Sequence, residues 1–381
     1  MSRVRAIELL LVELPLVRPF QTSFGEVVEK RCILVRVETD GGEGWGECVA
    51  DTRPDFSGEF NDGAWLVLRD FLAPALVRAG DIDVGSVEGS FAAVRGNPMA
   101  RAALLDAFVD AELRADGTSL ASWLGAERPR VECGVSIGIA PSVDALLAQV
   151  DGYLAEGYRR IKLKIEPGTD IERVRAVRAA HPDILLSVDA NAAYTPSDTD
   201  VFHAMEDLGL LMIEQPLHHE DLLRHAELQA ELRTDLCLDE SIRSVADTAA
   251  ALDLGACRIV NIKQGRVGGV LEARRIHDLC RERGVPVWCG GMLETGVGRA
   301  LNLALAAMPG FTLPGDTSAS ARYFEDDLTA PFELAPDGTM AVPSAPGIGV
   351  TPLPERLQAC VTRREIVRAR SNESDKTIGS P

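Results

Sequence analysis

The chain of 381 residues is 46% hydrophobic and 25% charged, a composition typical of a soluble globular protein with room for two domains. Its formal net charge of -19, without a lysine- or arginine-rich stripe, argues against binding to nucleic acid or to an anionic membrane surface. No apolar run reaches the roughly 18 residues of a membrane span, and Glu8 and Glu13 interrupt the apolar start of the chain, so we expect a cytoplasmic protein without a signal peptide.

Residues 1 to about 50 predict a β-meander, in which two strands meet at an Asp40-Gly41-Gly42 turn. Helical periodicity follows over residues 64–80, 84–95 and 98–116. Strands followed by helices favour a small α+β domain at the start of the chain.

From about residue 130, short apolar runs alternate with helical segments eight times. Polar residues recur at the ends of five of these runs, at steps of 25, 25, 25 and 24 residues: Lys164, Asp189, Glu214, Asp239 and Lys263. Eight parallel strands at this spacing predict a (β/α)8 barrel. A doubly wound open sheet is the alternative, but no GxGxxG follows the first strand of a βαβ unit, and GRVGG after Lys263 is weak evidence for a phosphate site.

The barrel pattern stops after about residue 325, and the remaining turns and short strands predict a return to the first domain. The polar end of the chain, from Ser371 onward, is typical of disorder. The eight cysteines form no CxxC pair, and several lie in apolar runs such as DLCLDES, so we expect reduced and buried thiols.

Three carboxylates, Asp189, Glu214 and Asp239, end the predicted strands three, four and five. Neighbouring strands are about 4.8 Å apart, and active sites of barrels form at these strand ends, so the three side chains can converge. Unpaired, they would repel one another, whereas a hard dication such as Mg²⁺ or Mn²⁺ accepts an all-oxygen site. Each of these acidic residues alone would more often be a helix cap or a loop residue. Their shared position in the repeat is what supports their assignment as metal ligands.

Lysines alternate with apolar residues in RIKLKI, residues 160–165, a pattern that by itself is typical of a solvated edge strand. In a barrel, Lys164 on strand two and Lys263 on strand six would face each other across the mouth, with the carboxylates between them. Two amines on opposite faces of a carbon α to a carboxylate suit proton abstraction, and a dication stabilises the enediolate that results. Lys162, on the same strand face, would lower the pKa of Lys164 from about 10.4 toward neutrality.

The motifs KLK, DANAAY, IEQPL, LDES and NIKQGRVGG, in this order, resemble the muconate-lactonising subgroup of the enolase superfamily. FQTSFGE, GVSIGI, GGMLETGVGRALN and TLPGDTSAS resemble its o-succinylbenzoate synthase / N-acylamino acid (N-succinylamino acid) racemase branch. The resemblance, from about residue 4 to 357, implies a (β/α)7β TIM-like barrel at residues 126–325. It implies an α+β capping domain built from residues 1–125 and a returning segment at 326–365, followed by a disordered tail at 366–381.

The resemblance also implies functional residues. Asp189, Glu214 and Asp239 would hold Mg²⁺, for which Mn²⁺ or another divalent cation could substitute, and Lys164 and Lys263 would be the acid and base, assisted by Lys162. Asn191 and Arg266 would lie behind these metal ligands and lysines. The charge of Arg266 would modulate the reactivity of Lys263, and the alternative is that Arg266 is a surface arginine. The substrate pocket and its mobile covering loop would comprise Phe20, Thr22, Ser23, Phe24, Ser136, Gly291, Met292, Leu293, Glu294 and Asp316.

The implied reaction is Mg²⁺-dependent abstraction of a proton α to a carboxylate. Its outcome would be N-acylamino acid racemisation, o-succinylbenzoate formation for menaquinone biosynthesis, or both. Strand seven offers Trp288 and Cys289 where mandelate-racemase-type enzymes use a histidine. Dipeptide epimerases carry Asp-x-Asp in strand eight, whereas PGDTSAS has Asp316 alone, which favours a substrate with an uncharged, acylated nitrogen.

Several alternatives stay open at this point. Muconate-type cycloisomerisation and dipeptide epimerisation use the same machinery. A metal-free lyase with Lys164 or Lys263 as a Schiff-base nucleophile, or a binding protein without catalysis, would be different classes of protein. We expect a small-molecule carboxylate as substrate, and a homo-oligomer, either a dimer or an octamer.

Overall fold

The structure is a computed structural model that describes residues 1–23 and 25–369. Phe24 and residues 370–381 lie outside the described residues, so the predictions of a covering-loop role for Phe24 and of a disordered end stay predictions. None of the helices in the described part of the chain combines the length and the apolar character that a bilayer span requires.

The first part of the chain is an antiparallel sheet with helices packed against it. The expected meander is present, and its second turn is at Asp40-Gly41-Gly42 as predicted. Its elements are β1 (Ser2–Thr22), β2 (Gly25–Thr39), β3 (Glu43–Cys48), α1 (Asn61–Val67), α2 (Ala73–Arg78), β4 (Asp81–Ile82), α3 (Pro98–Ala115) and α4 (Leu120–Leu124). Helix α3 lies directly on β3 because Gly44 and Gly46 have no side chain: a Cβ at either would be within 2.2 Å of the α3 backbone.

The helix expected over residues 84–95 is wrong, because the structure has only a 3₁₀ segment at Val87–Phe91. Gly85 and Gly89 disfavour an α-helix there, and Ser86 and Asp83 bond each other in a local turn. The helix expected over 64–80 begins earlier and is interrupted by a π-helical turn at Leu68–Leu72 between α1 and α2.

The second part of the chain forms a curled sheet of seven parallel strands in sequence order, with helices outside. A short strand, β5 (Arg130–Glu132), precedes it. The strands are β6 (Gly134–Ile137), β7 (Arg160–Lys164), β8 (Leu185–Asp189), β9 (Ile213–Glu214), β10 (Leu236–Leu238), β11 (Ile259–Ile262) and β12 (Val287–Cys289). The helices are α5 (Val143–Glu156), α6 (Asp170–Ala180), α7 (Thr199–His203), α8 (Leu222–Glu231), α9 (Val245–Leu254), α10 (Gln264–Val267), α11 (Val270–Glu282) and α12 (Gly296–Ala306).

The eighth predicted run, residues 311–316, closes the ring without forming a regular strand. On one side, the N–H groups of Thr312 and Asp316 donate to carbonyl groups of β12, and on the other Gly134 N–H donates to Gly315 O at 2.7 Å. Pro314 has no N–H to donate, which limits the ladder in this run. The predicted barrel is therefore confirmed, and the alternative of a doubly wound open sheet is wrong.

The C-terminal segment returns to the first domain as expected. It contains β13 (Thr339–Ala341), which pairs with β5, then α13 (Pro354–Cys360) and β14 (Val361–Arg368), which pairs with β1 from Ala6 to Val12. The expected tail at 366–381 begins too early, because residues 366–368 belong to β14. These residues are Ile366, Val367 and Arg368, and they pair with Glu8, Ile7 and Ala6 of β1.

Three buried charged residues connect the first domain to the barrel; we call Lys30, Glu47 and Asp106 the junction. Glu47 accepts hydrogen bonds from the backbone N–H groups of Thr295 and Gly298 at the start of α12, and from the Thr295 hydroxyl at 2.6 Å. Asp106 accepts from the Val270 N–H at the start of α11. Lys30 donates to Met292 O at 2.9 Å. The junction therefore fixes the loop after β12 relative to the first domain.

In the interior of the barrel, Trp288 packs with the apolar side chains of Met212, Cys237 and Ile259. The Trp288 ring N–H donates to Cys237 Sγ at 3.2 Å. All eight cysteines are free, and seven of them are buried, as the sequence predicts; Cys360 is half-buried.

Candidate active site

The polar residues of the 25-residue repeat lie at one level of the sheet. Lys164 is in register with Asp189, and Asp189 is in register with Glu214, on the neighbouring strands β7, β8 and β9. Asp239 and Lys263 each follow directly after the next two strands. The repeat therefore brings all five side chains to the carboxyl-terminal mouth of the barrel, where barrel enzymes build their sites.

Lys162 is the cation at the centre of the carboxylates. Its Nζ atom lies 2.7 Å from Asp316 Oδ2, 2.8 Å from Glu214 Oε2 and 3.1 Å from Asp189 Oδ2. Burial lowers the pKa of Lys162, but Asp316, Glu214 and Asp189 together raise it well above its ordinary value. Lys162 is therefore a permanent cation at neutral pH.

Lys164 lies beside Lys162, since both contact the same oxygen of Asp189, at 2.7 Å in the case of Lys164. Its Nζ atom also lies 2.5 Å from Asn191 Oδ1. Asn191 Nδ2 in turn donates to Glu240 Oε1 at 2.9 Å. Asn191 thus contacts the predicted base directly instead of standing behind it, and Glu240 sets the orientation of its amide.

On the other side of the mouth, Lys263 Nζ lies 2.8 Å from Asp239 Oδ2. The Arg266 guanidinium pairs with the second oxygen of Asp239 and donates to the carbonyl groups of Asn261 and Ile242. Arg266 is 3% exposed, so the alternative of a surface arginine is wrong. Burial lowers the pKa of Arg266 to about 9, which still leaves it cationic at neutral pH.

The donor set at the mouth fits a hard dication. Asp189, Glu214 and Asp239 are buried oxygen donors on consecutive strands. Burial and then the neighbouring Asp189 raise the pKa of Glu214, and Glu240 Oε2 is buried without a hydrogen-bond partner in the described part of the chain. As the side chains stand, no group of three or more His, Cys, Asp or Glu within residues 1–23 and 25–369 is arranged to hold a metal ion, and the carboxylate of Asp239 contacts Lys263 and Arg266.

A cavity opens above these residues, between the barrel and the first domain. Of the predicted pocket residues, the structure places seven on its wall: Phe20, Thr22, Ser136, Gly291, Met292, Leu293 and Asp316. Lys162, Lys164, Asn191 and Lys263 also line it. Both lysines proposed as acid and base therefore face one space, four strands apart in the sheet.

Two predicted pocket residues, Ser23 and Glu294, do not line this cavity. Glu294 is buried on the other side of its loop, where its Oε1 atom accepts from Asn302 Nδ2 of α12 at 2.8 Å. The left-handed backbone of Leu293, with φ of 56°, turns the loop so that Leu293 faces the cavity and Glu294 faces the helix.

Sequence reasoning missed several residues of the site. Val27, Asp51, Phe56 and Tyr323 line the cavity, yet they lie in segments whose local pattern carries no signal for it. Asn261, whose Nδ2 atom donates to Glu214 Oε1 at 2.7 Å, could have been found, because it lies two residues before Lys263 on the same strand face, as Lys162 does before Lys164.

Comparison with known proteins agrees with this architecture. A family model described as "Enolase C-terminal domain-like" matches residues 145–356, and one described as "Mandelate racemase / muconate lactonizing enzyme, N-terminal domain" matches residues 6–125. The chain belongs to the enolase superfamily. It is thus an enzyme of that superfamily, and the hypothesis of a non-catalytic binding protein is wrong.

Two relatives cover nearly the whole chain at more than 50% identity. The chain is 54% identical over 363 residues to N-succinylamino acid racemase from an Amycolatopsis species, covering 95% of this chain and 98% of that protein. It is 51% identical over 339 residues to o-succinylbenzoate synthase of Geobacillus kaustophilus, covering 89% of this chain and 90% of that protein.

Solved structures show the same fold. A member of the enolase superfamily from Listeria innocua superposes with a TM-score of 0.93 at 40% identity, covering 97% of this chain and 100% of that one. A dipeptide epimerase from Cytophaga hutchinsonii, complexed with Mg and the dipeptide D-Ala-L-Val, has a TM-score of 0.89 at 23% identity, covering 96% of this chain and 100% of that one.

Proposed function

We propose that this enzyme removes the proton α to a carboxylate, acting as an N-succinylamino acid racemase, as an o-succinylbenzoate synthase, or as both. The observation that carries the proposal is the pair of lysines, Lys164 and Lys263, which line one cavity from strands on opposite sides of the carboxylates. The names of the relatives at 54% and 51% identity support the choice of substrates.

In this proposal Asp189, Glu214 and Asp239 hold Mg²⁺, for which Mn²⁺ could substitute. When bound there, the dication supplies positive charge beside the substrate oxygens on which negative charge develops as the α-proton leaves. The all-oxygen donor set supports this assignment, and the structural neighbour complexed with Mg is consistent with it.

The protein's own groups move the proton. In racemisation, one of Lys164 and Lys263 accepts the α-proton and the other donates a proton to the opposite face of the same carbon. In o-succinylbenzoate formation, Lys164 takes the proton and then assists the departure of water, while Lys263 stays a cation beside the substrate. Lys162 is the fixed positive charge that attracts the substrate carboxylate.

The first domain closes the site in this proposal. Residues 1–125 and 326–365 form the capping domain over the barrel at 126–325, and Phe20, Thr22 and Val27 present its side of the cavity. Eight free cysteines support a reducing compartment such as the cytoplasm. A dimer or an octamer stays our prediction for the assembly, to be measured by light scattering.

The test is proton NMR in D₂O with Mg²⁺. N-succinyl and N-acetyl amino acids are followed for exchange of the α-proton, and the cyclohexadiene precursor of o-succinylbenzoate is followed for dehydration. Exchange alone identifies a racemase, dehydration alone a synthase, and both reactions an enzyme with two activities. Absence of both contradicts the proposal.

The remaining alternative of a different class, a metal-free Schiff-base lyase, is tested in the same samples. A Schiff base between a lysine and the substrate would be trapped by borohydride as a stable adduct visible in the protein mass. It would also survive removal of divalent cations. We expect no adduct and loss of activity on chelation.

A further inference from the structure

Asp316 is a carboxylate on the wall of the substrate cavity, but both of its oxygens already contact cations. Oδ1 accepts from Arg160 Nη2 at 2.5 Å, and Oδ2 contacts Lys162 Nζ at 2.7 Å. A carboxylate that faces a substrate pocket would normally attract a substrate ammonium group. Here the attraction is cancelled before any substrate arrives.

Arg160 lies below the cavity, fully buried in the barrel. Its Nε atom donates to Pro314 O at 2.9 Å, and its Nη1 atom lies 3.4 Å from Ser187 Oγ. The guanidinium carbon lies 4.8 Å from the centre of the Trp288 ring. The guanidinium is therefore held by contacts on several sides and cannot turn away from Asp316 when a ligand binds.

Space for this arginine is built into the neighbouring strand. A Cβ at Gly134 in β6 would lie 2.7 Å from Arg160 Nη2, so the glycine leaves room for the guanidinium. The irregular eighth run supplies both the Pro314 carbonyl and the Asp316 carboxylate. Arg160 thus connects β7, the strand that carries Lys162 and Lys164, to the segment that closes the ring.

The charges around Asp316 sum to a positive value. One carboxylate faces the two cations Arg160 and Lys162, and the other partners of Lys162 are Asp189 and Glu214, which we assign to the dication. A substrate ammonium beside Asp316 would meet net repulsion. A neutral amide N–H meets no such repulsion and still finds an acceptor, because a carboxylate offers about four lone-pair positions.

We propose that Arg160 determines specificity by cancelling the charge of Asp316, so that the site accepts substrates with an acylated, uncharged nitrogen and rejects those with a free ammonium group. This rests on the proposed function and deepens it, because it names the residue that sets the charge class of the substrate. Arg160 touches no substrate, so it is a positioning residue that acts through Asp316.

The test uses two ligands of equal shape, N-propionylmethionine and glycylmethionine, which differ by a methyl group in place of an ammonium group. Binding to the Mg²⁺-loaded enzyme is measured by calorimetry at pH 7, and exchange of the α-proton is measured in D₂O. We expect the wild type to prefer the propionyl ligand at least about 100-fold. Arg160→Gln should reduce this preference at least tenfold, whereas Arg160→Lys, which keeps the charge, should change it less than about threefold.

A second measurement needs no variant. The α-amino group of a peptide has a pKa of about 8, so raising the pH from 7 to 9 neutralises the amino group of glycylmethionine and should bring the affinities of the two ligands closer together. N-propionylmethionine has no amino group to titrate, so it is the reference for effects of pH that do not involve the ammonium group. Should Arg160→Gln fail to fold, this pH dependence of the wild type still tests whether the site excludes an ammonium group, and the ratio in Arg160→Lys tests whether the charge at position 160 is sufficient.

The proposal is overturned by equal binding of the two ligands to the wild type, by a ratio that does not change with pH, or by a folded Arg160→Gln with the wild-type ratio. Failure of both ligands to bind also overturns it. A strong preference in binding without any α-proton exchange would leave this inference standing and contradict the proposed function instead.

Discussion

The mouth of the barrel and the junction both bury charged side chains, but they satisfy these charges with different partners. At the mouth, Asp189, Glu214 and Asp239 pair with the ammonium and guanidinium groups of other side chains. At the junction, Glu47 and Asp106 accept hydrogen bonds from backbone N–H groups at the starts of α12 and α11.

The difference separates charges that perform chemistry from charges that hold the fold. A side-chain cation can rotate away when a dication or a substrate takes its place, so the pairs at the mouth are exchangeable. A backbone N–H at a helix start cannot leave without unwinding the helix, so the bonds at the junction are permanent. Variants at the mouth should therefore change rates, and variants at the junction should change stability.

Removal of divalent cations should have the largest effect on the mouth of the barrel. Chelation should abolish α-proton exchange, and Mg²⁺ or Mn²⁺ should restore it, because Asp189, Glu214 and Asp239 would otherwise face the substrate carboxylate as bare anions. Added Mg²⁺ should also raise the melting temperature of the wild type and leave that of Glu214→Gln unchanged. Full activity in the chelated protein would contradict the assignment.

The acid and base should have the next largest effect. Lys164→Ala and Lys263→Ala should each lower racemisation by about 10²- to 10⁴-fold, with an unchanged circular dichroism spectrum. Because each lysine serves one face of the carbon, one variant should lose exchange of the L-enantiomer and the other exchange of the D-enantiomer. Loss of the same enantiomer in both variants would show that the lysines do not flank the substrate.

Glu47→Gln tests whether the junction contributes to stability and not to catalysis. A neutral amide cannot accept from Thr295 and Gly298 as the carboxylate does, so we expect a loss of about 1–3 kcal/mol in the free energy of unfolding. Urea titration measures this loss. The exchange rate per folded molecule should fall less than tenfold, and an unchanged urea midpoint would show that Glu47 is not structural.

Arg266→Gln tests a charge that acts on Lys263 indirectly, through Asp239. Arg266 and Lys263 share Asp239, so the variant gives this carboxylate fully to Lys263. We expect the exchange step that depends on Lys263 to slow about tenfold relative to the step that depends on Lys164. If both exchange rates are those of the wild type, Arg266 does not tune the lysine.

Asp106→Asn should act on stability and not on rate, and its effect should appear as a pH dependence. Burial raises the pKa of Asp106 to about 8, above the value of about 3.9 in an unfolded chain. The folded state therefore binds the extra proton between these values, and the stability it contributes is lost as the pH rises toward 8. Asparagine keeps an acceptor for the Val270 N–H without titrating, so the variant's free energy of unfolding should vary less between pH 5 and 9. Parallel pH profiles would contradict this.

The barrel, its strand ends and the residues of the mouth could be predicted from the amino-acid sequence. A buried parallel strand needs a short apolar run, and a polar residue at the end of that run lies at the mouth of the barrel. The regular spacing from Lys164 to Lys263 therefore predicted both the barrel fold and the position of the site. The same local signals located the meander and the return of the C-terminal segment.

Only the tertiary structure decided which distant residues complete the site. Arg160 meets Asp316 across 156 positions, Glu294 turns from the cavity to α12, and the walls contributed by Val27, Phe56 and Tyr323 depend on how the first domain docks. The pairing of residues 366–368 with β1 likewise depends on a partner strand far away in the chain. Periodicity and propensity are properties of neighbouring residues, whereas these contacts depend on the closure of the ring and the packing of one domain on the other.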